Sequence, residues 1–477
     1  MKANQILTVL LAALLAACGS GGGGGEPVAG IDAGGGPNPT SSAVVSQGAI
    51  TGFGSVIVNG VHYDTDGATV TIDDNPGAES DLVVGQVVTV RGTINDDGVT
   101  GSATSVSFND LVEGPIDSIN AATGTMVVLG QTVVITVDTV FEAGINPASL
   151  AGLAAGQVVE ISGYFDAVGA IVAAYVDRED NPGEYEVTGI AGNVNGGTFT
   201  LDIGNLTVSY ATALVEDFPG GGPEDGQLLE AKGTTINAQG QLVASRIEYK
   251  GNDNDFGDDQ AEIEGFITDF ASATDFAISG LSVTTTASTV YLNGTSADLA
   301  LNRKVEAEGV INANGVLVAD KVEFKLAGVL RAEGLVEDVQ ASQLTVMGVV
   351  IRVEATTELK DSSDADIRNF SLANVNVGDY VEIRGFGDAT GFVATRLERD
   401  DDRGDRALRG FVELVAQPVL EILGVTVTTG AGTEFEDVND LPISPAAFFG
   451  NALDRLVDVE GTYAGGVFTA ERVAFEN

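Results

Sequence analysis

The sequence predicts an all-β protein made of six tandem five-stranded β-barrels that are similar to an OB fold. Three observations lead there: a strand-turn-strand stretch that occurs six times, a glycine inside the first strand of each stretch, and a hairpin signal earlier in each copy. Five strands, with a short element before the fourth and a glycine where that strand must bend, are typical of a small OB-type barrel. A seven-stranded sandwich needs more strands per copy than the sequence offers.

The repeated stretch first occurs at residues 87–106, which read VVTVRGTINDDGVTGSATSV. Its in-strand glycine lies 71, 70, 76, 76 and 76 residues apart in successive copies, at Gly92, Gly163, Gly233, Gly309, Gly385 and Gly461. A domain of about 60 residues buries only about 60% of its unfolded surface. Each copy is therefore at the lower limit of independent stability, and we expect neighbouring copies to help.

Each copy also predicts a hairpin upstream of this stretch. In the first copy Asn59-Gly60 separates two apolar runs, and Asn-Gly is the strongest short hairpin signal. Segments before the fourth strand, such as 147–150, are only long enough for one turn of helix or a lid. The repeats divide the chain into module 1 (47–110), module 2 (111–180), module 3 (185–251), module 4 (261–326), module 5 (330–400) and module 6 (406–477), joined by short acidic linkers.

The N-terminus has the pattern of an export signal. Residues 1–17 carry one lysine and then an apolar run too short to span a bilayer. The Leu15-Ala-Ala-Cys18 that follows resembles the bacterial lipobox, which implies a lipid on Cys18 as the link to the membrane; the alternative is an ordinary cleavage site and an incidental cysteine. Residues 18–46, rich in glycine and proline, predict a disordered tether. Gly19 resembles the sorting pattern of the outer membrane, on its periplasmic or surface face.

The charge of the chain excludes one class of partner. Its formal net charge is −47, from 22 Lys and Arg against 69 Asp and Glu. This field repels phosphate backbones and anionic lipid headgroups, so no nucleic-acid partner is expected. Aromatic residues make up 6% of the chain and tryptophan is absent, which disfavours a stacking platform for sugars or bases.

Few residues offer candidate chemistry. His62 is the only histidine and Cys18 the only cysteine, so a Cys/His metal cluster cannot form, and we predict His62 to be a solvent-facing strand residue. No catalytic residue and no organic cofactor is predicted. Acidic linkers offer oxygen ligands for Ca²⁺, with solvated linkers as the alternative because the spacing fails the EF-hand pattern. The calcium candidates are Asp253, Asp255, Asp258 and Asp259.

Three runs in and after module 1 resemble a known family. They are GFGSVIVNGVHYDT from Gly52, VGQVVTVRG from Val84 and VEGPI from Val112. They are similar to the bacterial family called domain of unknown function 5666, whose members occur in tandem in predicted lipoproteins. Module 1 matches closely and the other modules are degenerate versions. The resemblance implies a tandem-repeat lipoprotein and supplies no catalytic residue.

Together these features predict an envelope-anchored lipoprotein that acts as a non-enzymatic binding or scaffolding protein for a protein or polysaccharide partner. Two alternatives stay open: an enzyme or enzyme accessory with a site in one divergent module, and a purely structural spacer. Repulsion between the acidic linkers favours separation of the modules. We therefore expect a curved, semi-rigid array with one module after another.

Overall fold

The computed structural model describes residues 42–180, 183–196, 200–251, 260–388, 390–438 and 440–476. Ser41–Asn477 forms one compact unit. This unit is nearly all β, and no helix in the described part of the chain is both long and apolar enough to cross a bilayer. The predicted signal peptide and Cys18 lie outside the described residues.

The first three modules contain β1 to β21. Module 1 has β1 (Ser42–Gly52), β2 (Val56–Val58), β3 (Val61–Asp64), β4 (Thr69–Ile72), β5 (Asn75–Gly77), β6 (Val87–Ile94) and β7 (Thr100–Phe108). Module 2 has β8 (Val112–Asn120), β9 (Thr125–Val128), β10 (Gln131–Val134), β11 (Val140–Phe141), β12 (Val158–Phe165) and β13 (Ile171–Glu179). Module 3 has β14 (Tyr185–Asn195), β15 (Thr200–Ile203), β16 (Leu206–Ser209), β17 (Leu214–Glu216), β18 (Leu228–Gly233), β19 (Thr235–Ile236), β20 (Leu242–Val243) and β21 (Arg246–Tyr249).

The last three modules contain β22 to β37 and one short helix. Module 4 has β22 (Gln260–Ser272), β23 (Asp275–Ile278), β24 (Leu281–Leu292), β25 (Lys304–Ile311) and β26 (Leu317–Phe324). Module 5 has β27 (Leu330–Gln340), β28 (Gln343–Val346), β29 (Val349–Asp361), β30 (Tyr380–Asp388) and β31 (Gly391–Asp400). Module 6 has β32 (Arg406–Ala416), β33 (Val419–Ile422), β34 (Val425–Thr428), β35 (Glu434–Glu436), α1 (Pro445–Phe449), β36 (Leu456–Ala464) and β37 (Val467–Phe475).

Each module closes into a small barrel with the strand order of an OB fold, as the sequence predicts. In module 5 the first strand, β27, pairs antiparallel with β28 and with β30. A hairpin joins β28 to β29, β30 pairs antiparallel with β31, and β29 runs parallel to β31 to close the barrel. The predicted short element before the fourth strand is a single 3-10 turn in modules 1, 2, 4 and 5 and α1 in module 6: Glu79–Asp81, Leu150–Gly152, Ser296–Asp298, Leu372–Asn374 and Pro445–Phe449.

The glycine of the fourth strand bends the barrel, as predicted. The pairing of β30 with β31 shifts register between Arg384 and Gly385, and the same shift occurs at the matching glycine of modules 1, 2, 4 and 6. A Cβ on Gly385 would lie 1.9 Å from the carbonyl oxygen of Val393, so no other residue fits without moving the strand. The predicted Asn59-Gly60 turn is also present, with φ of 52° and 80°.

The first strand of a barrel is longer than its partner, and the overhang joins two barrels. Strand β28 pairs only with residues 336–340 of β27. Residues 331–333 of β27 therefore extend beyond β28 and pair antiparallel with β32 of module 6. The same overhang joins β8 of module 2 to β14 of module 3. In β1, residues 44–47 pair in parallel with β22 of module 4. The tether predicted to reach residue 46 is therefore shorter, because β1 already begins at Ser42.

This packing contradicts the expected array with one module after another. Modules 1 and 4 share a strand pairing although two modules separate them in sequence. Module 5 also contacts modules 1 and 2: Arg368 donates to the carbonyl oxygen of Leu82 at 2.9 Å, and Arg384 donates to that of Val137 at 2.6 Å. The prediction was wrong because it counted only linker repulsion. Pairing of the strand overhangs and hydrogen bonds between barrels, such as the buried one that Ser46 donates to Glu262 at 3.1 Å, favour the compact form.

Candidate functional site: charged rows and a cavity between the barrels

The fourth strand carries an acid on its outer face in five of the six modules. This acid stands three residues before the glycine of the fourth strand, as in the V-E-I-R-G of module 5. Its copies are Glu160, Glu230, Glu306, Glu382 and Asp458. Glu230, Glu306 and Asp458 are each only 1% exposed, because another strand or module covers this face of the barrel. The burial of these acids was not predicted, because alternation alone predicts a solvent-facing polar residue. One signal could have indicated their burial: an acid recurs at this position of the repeat, although any polar residue would satisfy the alternation.

Module 5 balances its acids with a neighbouring row of arginines. Its acid row consists of Glu333, Glu382 and Glu398, which lie directly opposite one another across β27, β30 and β31. The arginine row lies two residues further along the same strands and on the same face. It consists of Arg331, Arg384 and Arg396, and Arg409 continues it into module 6. Residues that are directly opposed in a sheet share a face, so like charges in a row are unfavourable unless the next row compensates them.

The arginines of module 5 contact the acids closely. Arg384 Nε lies 2.6 Å from Oε1 of Glu382, and Arg331 Nε lies 3.6 Å from the same oxygen. Arg396 lies 2.5 Å from Glu398. Burial alone would raise the pKa of Glu382, but Arg384 and Arg331 outweigh burial and hold this pKa at about 2. Arg396 and Lys360 likewise outweigh burial and lower the pKa of Glu398, whereas burial raises the pKa of Glu333. Glu382 and Glu398 are therefore held in the ionised form by their arginines.

Module 2 has the same acids without the arginines. Its acid row consists of Glu113, Glu160 and Asp177, opposed across β8, β12 and β13, and it continues to Glu186 in β14 of module 3. Where module 5 has Arg331, Arg384 and Arg396, module 2 has Leu111, Ser162 and Tyr175. Ser162 is committed elsewhere, since its Oγ accepts a hydrogen bond from the backbone N–H of Val87 in module 1 at 2.8 Å.

The missing arginines change the protonation of module 2. Burial is the main cause that raises the pKa of Glu160 to about 8, and Asp73 of module 1 and Asp177 raise it further. Burial together with Glu179 and Asp73 raises the pKa of Glu113 to about 7. Acids at matching positions of two modules thus differ in charge near neutral pH.

A cavity of about 400 Å³ lies where modules 1, 2, 4 and 5 meet. Its wall includes Tyr164 of module 2, Glu264, Lys304 and Lys325 of module 4, and Arg384 and Arg396 of module 5. Tyr164 donates its hydroxyl hydrogen to Glu264 at 2.6 Å, and Nζ of Lys304 lies 2.8 Å from the same carboxylate. Burial opposes ionisation of Glu264, but Lys304 and Lys325 lower its pKa to about 2. The wall is thus polar, charged in both signs and cross-linked between modules.

The site residues predicted from sequence fall into two groups. Cys18 and the calcium candidates Asp253, Asp255, Asp258 and Asp259 lie outside the described residues. His62 is exposed in β3, as predicted, and its Nδ1 lies 3.4 Å from Oγ of Ser55. It borders a second cavity of about 420 Å³ between modules 1 and 5.

The fold and the charged rows define a class of protein: one chain that packs six OB-type barrels into a single body through strand overhangs. Residues 44–107, 113–177, 187–248, 264–323, 333–398 and 409–474 each match the family model of a domain of unknown function, DUF5666. The chain therefore belongs to the DUF5666 family, as the resemblance of module 1 indicates. No curated protein matches the chain.

Proposed function

We propose that this chain is an envelope-anchored lipoprotein that acts as a non-enzymatic binding and scaffolding protein. A lipid on Cys18 would hold it in the outer membrane, and the cavity between modules 1, 2, 4 and 5 would bind a polar segment of a protein or polysaccharide of the envelope.

The observation that carries this proposal is the cavity itself. Two pairs of modules from distant parts of the sequence, 1 with 2 and 4 with 5, contribute to one wall, which supports a site that exists only in the assembled body. Its volume is within the usual range for ligand sites. Ion pairs such as Lys304 with Glu264 and Arg396 with Glu358 hold charged groups in fixed positions on the wall, which supports recognition of a polar ligand.

An exposed alanine in the cavity wall offers a direct test. Ala327 borders the cavity and is exposed, so Ala327→Trp should fill the cavity and leave the barrels folded. Ala365, exposed on a turn of module 5 away from the cavity, gives the matched control Ala365→Trp. Affinity capture from solubilised native envelope should retain a partner on the unchanged chain and on Ala365→Trp, and lose it on Ala327→Trp. Equal retention by all three chains would contradict a cavity site.

Lipidation of Cys18 is tested separately, in cells that produce the full-length chain. Lipidation requires the thiol, so Cys18→Ser should remove labelled palmitate from the chain and release it from the membrane fraction. Palmitate that persists on Cys18→Ser would contradict the lipobox interpretation.

A further inference from the structure

Three acids converge where modules 1, 2 and 3 meet. Asp73 follows β4 of module 1, Asp110 precedes β8 of module 2, and Glu186 lies in β14 of module 3. Each offers one carboxylate oxygen, and these oxygens all lie within 4.8 Å of one another. They extend the acid row of module 2, since Glu186 is directly opposite Glu113.

Two of these carboxylates have buried oxygens without a partner. Asp110 is 2% exposed and Glu186 is 4% exposed. Oδ1 of Asp110 and Oε1 of Glu186 accept no hydrogen bond from the described residues. Buried charged groups are normally paired, because an uncompensated carboxylate loses several kcal/mol of hydration, on the order of the penalty for a buried ion. Lys232 compensates Glu186 through its other oxygen, so the orphan oxygen of Asp110 is the stronger sign: it needs a proton or a cation that no basic side chain of the described residues supplies.

The nearby basic side chains are engaged on the other side of the cluster. Nζ of Lys232 lies 2.7 Å from Oε2 of Glu186, and it also contacts Glu230 at 3.4 Å and Asp74 at 3.5 Å. Within the described parts of the chain, no ion pair joins a lysine or arginine to Asp73 or Asp110. Asp73 uses Oδ1 to accept the backbone N–H of Asp110 at 3.1 Å, which leaves its second oxygen for a ligand.

We propose that Asp73, Asp110 and Glu186 form a calcium site that joins module 1 to module 3 at the end of the acid row of module 2. Carboxylate oxygens are hard ligands, which suit Ca²⁺ and Mg²⁺. Mg²⁺ keeps several waters in a strict octahedron, whereas Ca²⁺ accepts about six to eight oxygens in a flexible arrangement and tolerates buried protein ligands. The buried position of Asp110 and Glu186 therefore favours Ca²⁺. The ion supplies the positive charge that module 5 obtains from its arginine row.

Calcium titration of the full-length chain, purified in mild detergent and freed of metal by chelator, tests this site. We expect one Ca²⁺ per chain by calorimetry and a rise in melting temperature of about 2 °C or more, because a ligand of the folded state stabilises it. Mg²⁺ should produce a smaller rise. Absence of binding at millimolar calcium overturns the proposal.

Two variants remove ligand charge at nearly constant shape. Asp110→Asn and Asp73→Asn should each weaken calcium binding by at least about tenfold, because affinity follows the ligand charge. Asp73 has φ of 47°, which asparagine also adopts readily, so Asp73→Asn keeps the backbone and reports on charge alone even if Asp110→Asn folds poorly. Without calcium, Asp73→Asn should melt at or above the temperature of the unchanged chain, because one of three repelling carboxylates is gone.

The control changes the acids predicted from sequence. A chain with Asp253, Asp255, Asp258 and Asp259 all changed to Asn should keep the full calcium response. If Asp73→Asn keeps the response and this quadruple variant loses it, the ion binds the acidic linker and the proposed site is wrong. If Asp73→Asn loses the response, the proposed site stands.

Discussion

Modules 2 and 5 carry acids at the same three strand positions but balance them by different means. In module 5, Arg331, Arg384 and Arg396 form a second row beside the acids. In module 2 those positions hold Leu111, Ser162 and Tyr175, and the acid row extends to Asp73 and Asp110 of module 1 instead. The acid is thus a recurrent feature of the repeat, whereas the group that balances its charge depends on what each barrel packs against.

The largest expected effect comes from giving module 5 the residues of module 2. The triple variant Arg331→Leu, Arg384→Ser, Arg396→Tyr leaves Glu382 and Glu358 without their arginines and Glu398 with Lys360 alone. These pairs are partly exposed, so each loss should be smaller than the loss of about 3–5 kcal/mol for a fully buried pair, but several losses add up. We expect the lowest melting temperature of all variants proposed. Arg352→Ser is the control, because Arg352 and Asp388 form a more exposed pair in the same module, worth about 0–1 kcal/mol. Equal losses in the two variants would contradict the importance of the arginine row.

A smaller effect, of opposite sign in the two modules, comes from a matched neutralisation. Glu160 and Glu382 occupy the same place in their barrels, and we expect Glu160→Gln to raise the free energy of unfolding at pH 8 in chelator by about 1 kcal/mol, with Glu382→Gln lowering it by about 2 kcal/mol. Glu160 faces other acids, whereas Glu382 contacts Arg384 and Arg331. Melting curves of both variants check the signs. Two shifts of the same sign would mean that the rows are balanced alike.

The smallest and most specific effect is the pH at which these differences vanish. Burial and the neighbouring Asp73, Asp177, Glu113 and Glu179 raise the pKa of Glu160 from its ordinary 4.5 to about 8, so the folded state loses stability as the pH rises from 4.5 to 8. The advantage of Glu160→Gln should therefore disappear at pH 4.5 and below.

Glu382 should show the opposite profile. The pKa of its carboxyl is lowered from 4.5 to about 2, so its stabilisation is present above 4.5 and is lost as the pH falls to 2. The deficit of Glu382→Gln should shrink over that window. Melting temperatures of the unchanged chain and both variants from pH 2 to 9 check both profiles, and parallel curves across this range would refute them.

Much of the barrel could be predicted from the sequence because its signals are local. The Asn59-Gly60 turn and the glycine of each fourth strand dictate backbone shape wherever they occur, and both are present as predicted. The charged site was missed because its members come from distant segments. Asp73, Asp110 and Glu186 meet only when β8 pairs with β14 and module 1 covers module 2, and local alternation says nothing of such pairings.

The prediction that the modules form an extended array was wrong for a related reason. Linker charge is visible in the sequence, but the overhang of β1 that pairs with β22 depends on where β2 ends, which is a property of the folded barrel. The acids at Glu160, Glu230 and Glu306 were visible as a recurrent position, and that recurrence was the one local sign that the outer face of the barrel does more than meet solvent.

The strand overhangs also bear on how many modules such a chain can contain. Each of the three overhang pairings uses two barrels, joining module 1 to 4, module 2 to 3 and module 5 to 6. A chain that stops after module 5 would expose the backbone N–H and C=O groups of residues 331–333 in β27. An open edge of this kind invites pairing with another molecule. Among the described residues of this chain, the three overhang pairings instead cover these edges within one molecule.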